Sequence, residues 1–145
     1  MRRIVSLFFI FVLVLSITGC AITTRFNPAD VTMDIVEESI TPLGLTVIIS
    51  NNAKIDIYGG IADDFLVEKL ENGEWTPLVE IGERSNNTET FIFQGNRELK
   101  IYWSGIYGSL TSGSYRISKC FYLDTVDNTD SSNDGFYLTS EFTIK

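Results

Sequence analysis

Thiols, carboxylates and aromatic hydroxyls are among the side chains left to carry chemistry in a 145-residue sequence that holds no histidine. That absence removes the commonest general base, the commonest transition-metal ligand and the side chain that titrates near neutral pH. Ser–His, Cys–His and zinc–histidine chemistry go with it. Carboxylates are plentiful, with 19 acidic against 11 basic residues. Asp130-x-Ser132-x-Asp134-Gly135 followed by Glu141 has the oxygen spacing of a helix-flanked calcium loop. The stretch Phe136 to Ile144 instead alternates like a strand. In a strand Glu141 would stand roughly 20 Å from Gly135, too far to close the shell. Asp124, Asp127, Asp130 and Asp134 are left as candidates for a calcium site in a loop between strands. The plainer reading is a solvated acidic loop, with no metal and no cofactor. Glu37-Glu38 and Asp63-Asp64 are adjacent pairs whose carboxylates point to opposite sides of an extended chain. They read as solvated turn residues.

The thiol with the most specific surroundings is Cys20. Met1-Arg2-Arg3 is a positive start, and Ile4 to Ile17 then runs without a charge. As a helix that run spans about 21 Å, against roughly 30 Å of bilayer hydrocarbon. It is short for a membrane span and suited to a signal-peptide core. Ile17-Thr18-Gly19-Cys20 resembles the lipobox of bacterial lipoproteins. The resemblance implies cleavage between Gly19 and Cys20, and acylation of Cys20 with palmitate-class chains. Two or more such chains hold a protein stably on a bilayer, where one holds it marginally. The expected organisation is a signal peptide over 1–19, a lipidated cysteine and short tether over 20–28, and one domain over 29–145. The expected location is the extracytoplasmic face of the cell membrane.

Removal of residues 1–19 takes Arg2 and Arg3 and shifts the formal charge from −8 to −10. Such a surface repels phosphate backbones, so nucleic acid is excluded as a partner. The expected partners are the membrane, through the anchor, and an unidentified envelope protein or wall polymer. Cys120 has no second cysteine in the chain to pair with once Cys20 is acylated, and reads as a small, half-buried strand residue, with intermolecular pairing or a reactive thiol as the alternative.

Short alternating apolar segments fill the rest of the chain, separated by Gly, Asn, Asp and Ser. Val31 to Ile35, Leu45 to Ile49, Phe65 to Leu70, Trp75 to Leu78, Thr90 to Phe93, Glu98 to Trp103, Tyr115 to Leu123 and Phe136 to Ile144 all read as strands. Asn72-Gly73 between two of them signals a hairpin. The fold class is all-β, an antiparallel sandwich of about seven to nine strands. Trp75, Trp103, Phe65, Tyr115, Phe121 and Phe142 are the expected aromatic core, each ring contributing roughly 4–6 kcal/mol gross on burial. Tyr102 and Tyr122 are expected on outward faces, as a candidate patch for glycan or protein. Leu110-x-x-Gly113-x-Tyr115 has the pattern of a tyrosine corner, whose hydroxyl returns to upstream backbone.

Thr41-Pro42-Leu43-Gly44 with Leu45 to Asn52, Val67-Glu68-Lys69 with Asn72-Gly73-Glu74-Trp75, Trp103 through Gly108, Leu110 to Ile117 and Tyr137 to Ile144 resemble the bacterial immunoglobulin-like domains often carried by lipoproteins of Gram-positive bacteria. Gly95-Asn96-Arg97 departs from the Pro-Gly turn of that pattern. The resemblance implies an Ig-like sandwich and no catalytic residues. The expected function is a membrane-anchored, non-catalytic interaction or structural module. The alternatives are a calcium-responsive adhesin-like domain and a carboxylate-based envelope glycosidase, the last opposed by small size and the absence of a pocket-forming insertion.

Overall fold

A computed structural model describes residues 27–53, 55–60, 64–84, 90–123 and 135–145. Among them nine strands form: β1 (Val31–Ile35), β2 (Gly44–Asn51), β3 (Ile57–Gly60), β4 (Phe65–Glu71), β5 (Glu74–Pro77), β6 (Thr90–Phe93), β7 (Gly95–Tyr102), β8 (Gly113–Leu123) and β9 (Phe136–Ile144). One helical turn, α1 (Ser104–Tyr107), follows β7. All pairings are antiparallel, and they make two sheets, as an Ig-like sandwich requires.

The smaller sheet has the order β1-β2-β7, with the β-branched run of β2 in the middle. The larger sheet is built on β8. One edge of β8 pairs first with β4, from Lys69↔Tyr115 to Phe65↔Lys119, and then with β3, at Tyr58↔Tyr122 and Ile57↔Leu123. Its other edge carries β9, and β5 and β6 extend the sheet outside β4 and β3. The β4–β5 hairpin turns at Asn72 (φ 53°) and Gly73 (φ 86°), the left-handed pair that matches the twist of the flanking strands.

Strand alternation sends every second side chain inward. Val47 and Ile49 of β2 meet Val67, Ile117 and Phe121 of the larger sheet in one core, all of them inaccessible to solvent. Lys119 has the same inward parity and is also buried; its Nζ donates to the Asp64 carbonyl at 3.1 Å. The two flanks are closed differently. On one, β1 lies beside β9, and the Ser140 hydroxyl donates to the Met33 carbonyl. On the other, Ile81 and Gly82 donate backbone N–H groups to the Ile106 carbonyl of α1 at 2.8 and 3.1 Å. Arg84 ties that flank together, donating to the Phe65 carbonyl (2.8 Å) and the Tyr107 hydroxyl (3.0 Å).

The registers define two ends. Val31, Asn51, Gly95, Leu123 and Phe136 gather at the end where Asn27 and Pro28 enter; Ile35, Gly44, Tyr102, Gly113 and Ile144 gather at the far end. Residues entering at 27 and leaving at 145 therefore lie at opposite ends of the sandwich.

Candidate functional site

At the far end, Trp103 is wholly buried and its indole Nε1 donates to the Pro42 carbonyl at 2.8 Å. The Leu110 N–H reaches the same carbonyl at 2.9 Å, so one turn residue receives two segments. Trp103 stacks on Phe142 at 5.4 Å, and Phe142 stacks on Tyr115 at 5.6 Å. The Tyr115 hydroxyl donates to the Thr111 carbonyl at 2.8 Å, four residues upstream. Leu110 is buried beside this corner, and Gly113 adopts φ 156°, a conformation that side-chain-bearing residues rarely take. Leu110, Gly113 and Tyr115 thus come together where β8 begins.

At the entry end, Asn51 does comparable work. It is buried, donates from Nδ2 to the Ile55 and Phe93 carbonyls, both at 3.0 Å, and accepts from the Ala53 N–H at 3.0 Å. The bond to Phe93 joins β2 of one sheet to β6 of the other.

The outward face of the larger sheet divides into two chemically distinct halves. Toward the far end, Arg116 of β8 ion-pairs with Glu68 of β4, and its guanidinium lies 4.9 Å from the centre of the Trp75 ring. Glu141 of β9 stands opposite Arg116. The hydrogen bond to Glu68, with the charges of Glu68 and Glu141, raises the Arg116 pKa. Trp75 is consequently half-buried on the outside rather than in the core. The two-residue hairpin places it opposite Leu70, and Leu70 shares parity with Leu66 and Glu68, which face out. Toward the entry end, the outward strand residues carry no charge. Ile92, Tyr58 and Tyr122 stand side by side across β6, β3 and β8. The Tyr58 and Tyr122 rings stack at 5.3 Å. Cys120, a free and buried thiol, follows on β8, opposite Tyr137 of β9. Leu66 sits opposite Ser118, whose hydroxyl bonds that of Thr139 at 2.8 Å. Asp64 borders this half and is exposed. The hydrogen bond to Cys120, its charge and then burial push the Tyr122 hydroxyl up to about 12. Tyr137 is raised as well, first by the charge of Cys120.

Tyr102 and Tyr122 do not form a shared patch. Tyr102 projects from β7, on the outer side of the smaller sheet, whereas Tyr122 projects from the opposite sheet. Tyr58, Ile92 and Tyr137 were the missing neighbours of Tyr122, and strand parity counted back along β9 from the core residue Phe142 would have found Tyr137 on the outward face.

The remaining candidates disperse. Glu37 and Glu38 lie exposed in a short turn, Glu37–Ser39. That turn borders a half-open notch of about 270 Å³, lined also by Ile40, Pro42 and Lys145. Glu141 is a strand residue, as the alternation predicts. Asp63, Asp124, Asp127, Asp130 and Asp134 lie outside the described residues, as do Gly19 and Cys20. Among the described residues no three of Cys, Asp and Glu come together as a metal site would need, and no helix is long and apolar enough to cross a membrane.

A family model described as a bacterial Ig-like domain matches residues 27–140. No curated protein and no solved structure matches the chain.

Proposed function

The chain belongs to the bacterial Ig-like domain family, and from that membership we propose that it is a lipid-tethered, non-catalytic interaction or structural module on the extracytoplasmic face of a bacterial membrane. The observation that carries the tether is Ile17-Thr18-Gly19-Cys20 directly after a short apolar run with a basic start. Acyl chains on Cys20 would hold the domain stably, and an acidic surface would keep it off anionic headgroups elsewhere. The non-catalytic reading is supported by the described carboxylates. Glu68 is engaged by Arg116, while Glu37 and Glu38 are exposed in a turn. With no histidine to act as base, little acid–base chemistry is left to the chain.

Detergent-phase partitioning and membrane fractionation of the whole protein test the tether. The wild type should enter the detergent phase and sediment with membranes, and Cys20→Ser should release it to the soluble fraction. Unchanged fractionation of Cys20→Ser overturns the proposal. Titration calorimetry separates the calcium reading carried by Asp124, Asp127, Asp130 and Asp134: binding heat at millimolar calcium would replace a plain structural module with a calcium-responsive one.

A further inference from the structure

We propose that the uncharged half of the larger sheet, with Tyr58, Tyr122, Tyr137 and Ile92, rests against the headgroup layer of the bilayer that holds the anchor. The inference depends on the tether at Cys20 proposed above and adds an orientation and a second contact to it.

Three observations converge. The first is position. The chain enters the sandwich at Asn27, at the same end as Leu123 and Phe136, and therefore at the end that carries this face. Entry is also on the correct flank, because Met33 of β1 is bonded by Ser140 of β9, the strand that carries Tyr137. The second is reach. Six residues lie between Cys20 and Asn27, and the seven steps from one to the other span at most about 25 Å fully extended. An acylated Cys20 therefore keeps the entry end close to the lipid, while the far end, with Trp103 and Tyr115, points away. The third is chemistry. Tyr137 is 71% exposed and Ile92 57% exposed, on a sheet face whose other half carries Arg116, Glu68 and Glu141. Tyrosine and aliphatic side chains without charge suit the headgroup boundary, where a ring body is apolar and its hydroxyl stays wet. The hydroxyls of Tyr122 and Tyr137 are uncharged at neutral pH, as tyrosines ordinarily are, and their pKa values are shifted further up, so they add no anion to that face. Asp64 at its border, together with the four aspartates (Asp124, Asp127, Asp130 and Asp134) in the connection that leaves this end at Leu123 and returns at Phe136, favours zwitterionic over anionic headgroups.

The test uses the whole acylated protein, reconstituted in phosphatidylcholine vesicles that contain a lipid with a quencher near the headgroup. Tyr137→Trp places a reporter on the face, and Leu43→Trp places one at the far end. Read as the difference from the wild type, whose Trp75 and Trp103 also emit, emission from the indole introduced by Tyr137→Trp should shift to the blue and lose most of its intensity, while Leu43→Trp keeps nearly all of its own. Vesicle flotation of the same samples separates the two readings. Protein that floats with equal emission from both variants overturns this orientation and leaves the tether standing. Protein that does not float overturns both. A response of Tyr137→Trp to added wall glycan, but not to lipid, assigns the face to a polymer and overturns the bilayer contact.

Discussion

Trp103 and Asn51 close the two ends of the sandwich by the same logic and with unlike chemistry. Each is buried, and each carries a side-chain N–H that bonds a backbone carbonyl across the fold. Trp103 adds a ring that continues through Phe142 to Tyr115, so the far end is held by stacking and hydrogen bonds together. Asn51 has no ring. It holds the entry end by pairing three backbone groups, of which the bond to the Phe93 carbonyl is buried. The difference separates two ways of making an end rigid. One relies on apolar area with a polar tip, and the other on complete hydrogen bonding in a place that apolar packing does not fill.

The comparison predicts a ranking. Trp103→Ala should be the most damaging change, at about 3–5 kcal/mol, because a buried ring leaves a cavity that the sheets only partly refill. Asn51→Ala should cost about 1–3 kcal/mol, the penalty for removing the amide that the buried Phe93 carbonyl is bonded to. Denaturant melts of both variants measure the ranking, and an Asn51→Ala loss equal to that of Trp103→Ala would erase the distinction. Tyr115→Phe keeps the ring stack and removes only the bond to Thr111, so about 1 kcal/mol should be lost. No loss in the same melts would make the corner a packing feature alone.

The smallest effect concerns pH. Tyr122 ionises late, near 12, because Cys120 bonds its hydroxyl and places charge beside it. A pKa raised on folding means that the stabilisation is complete below the ordinary tyrosine value of about 10 and disappears as pH rises toward 12. Ultraviolet titration should show a late tyrosinate step that Cys120→Ala moves to lower pH. An unmoved step would remove Cys120 as its cause.

Much of the fold was legible because its signals are local. The alternation of Val31, Met33 and Ile35, the β-branched run in β2 and the Asn72-Gly73 turn each state a backbone preference within a few residues. Two elements were not legible. β3 is only Ile57-Tyr58-Gly59-Gly60, half glycine, and it forms a strand because Gly59 packs against Phe121 of β8. α1 is a single turn, too short for any helical period, and is held by the loop at Ile81 and Gly82. Asn51 was readable in principle, since it continues the inward parity of Leu45, Val47 and Ile49. Its residue type points to a turn instead, and only the carbonyls it meets explain an amide in the core.

By itself the sequence determined the class of the molecule: a β-rich chain without histidine and strongly acidic. Composition and nearest-neighbour spacing are sufficient for such properties. The tertiary structure decided which faces come together. It put Trp75 outside under Arg116, separated Tyr102 from Tyr122, and gathered Tyr58, Ile92 and Tyr137 beside the chain entry. Those outcomes depend on register between strands far apart in sequence, and a shift of one residue reverses every side chain on a strand.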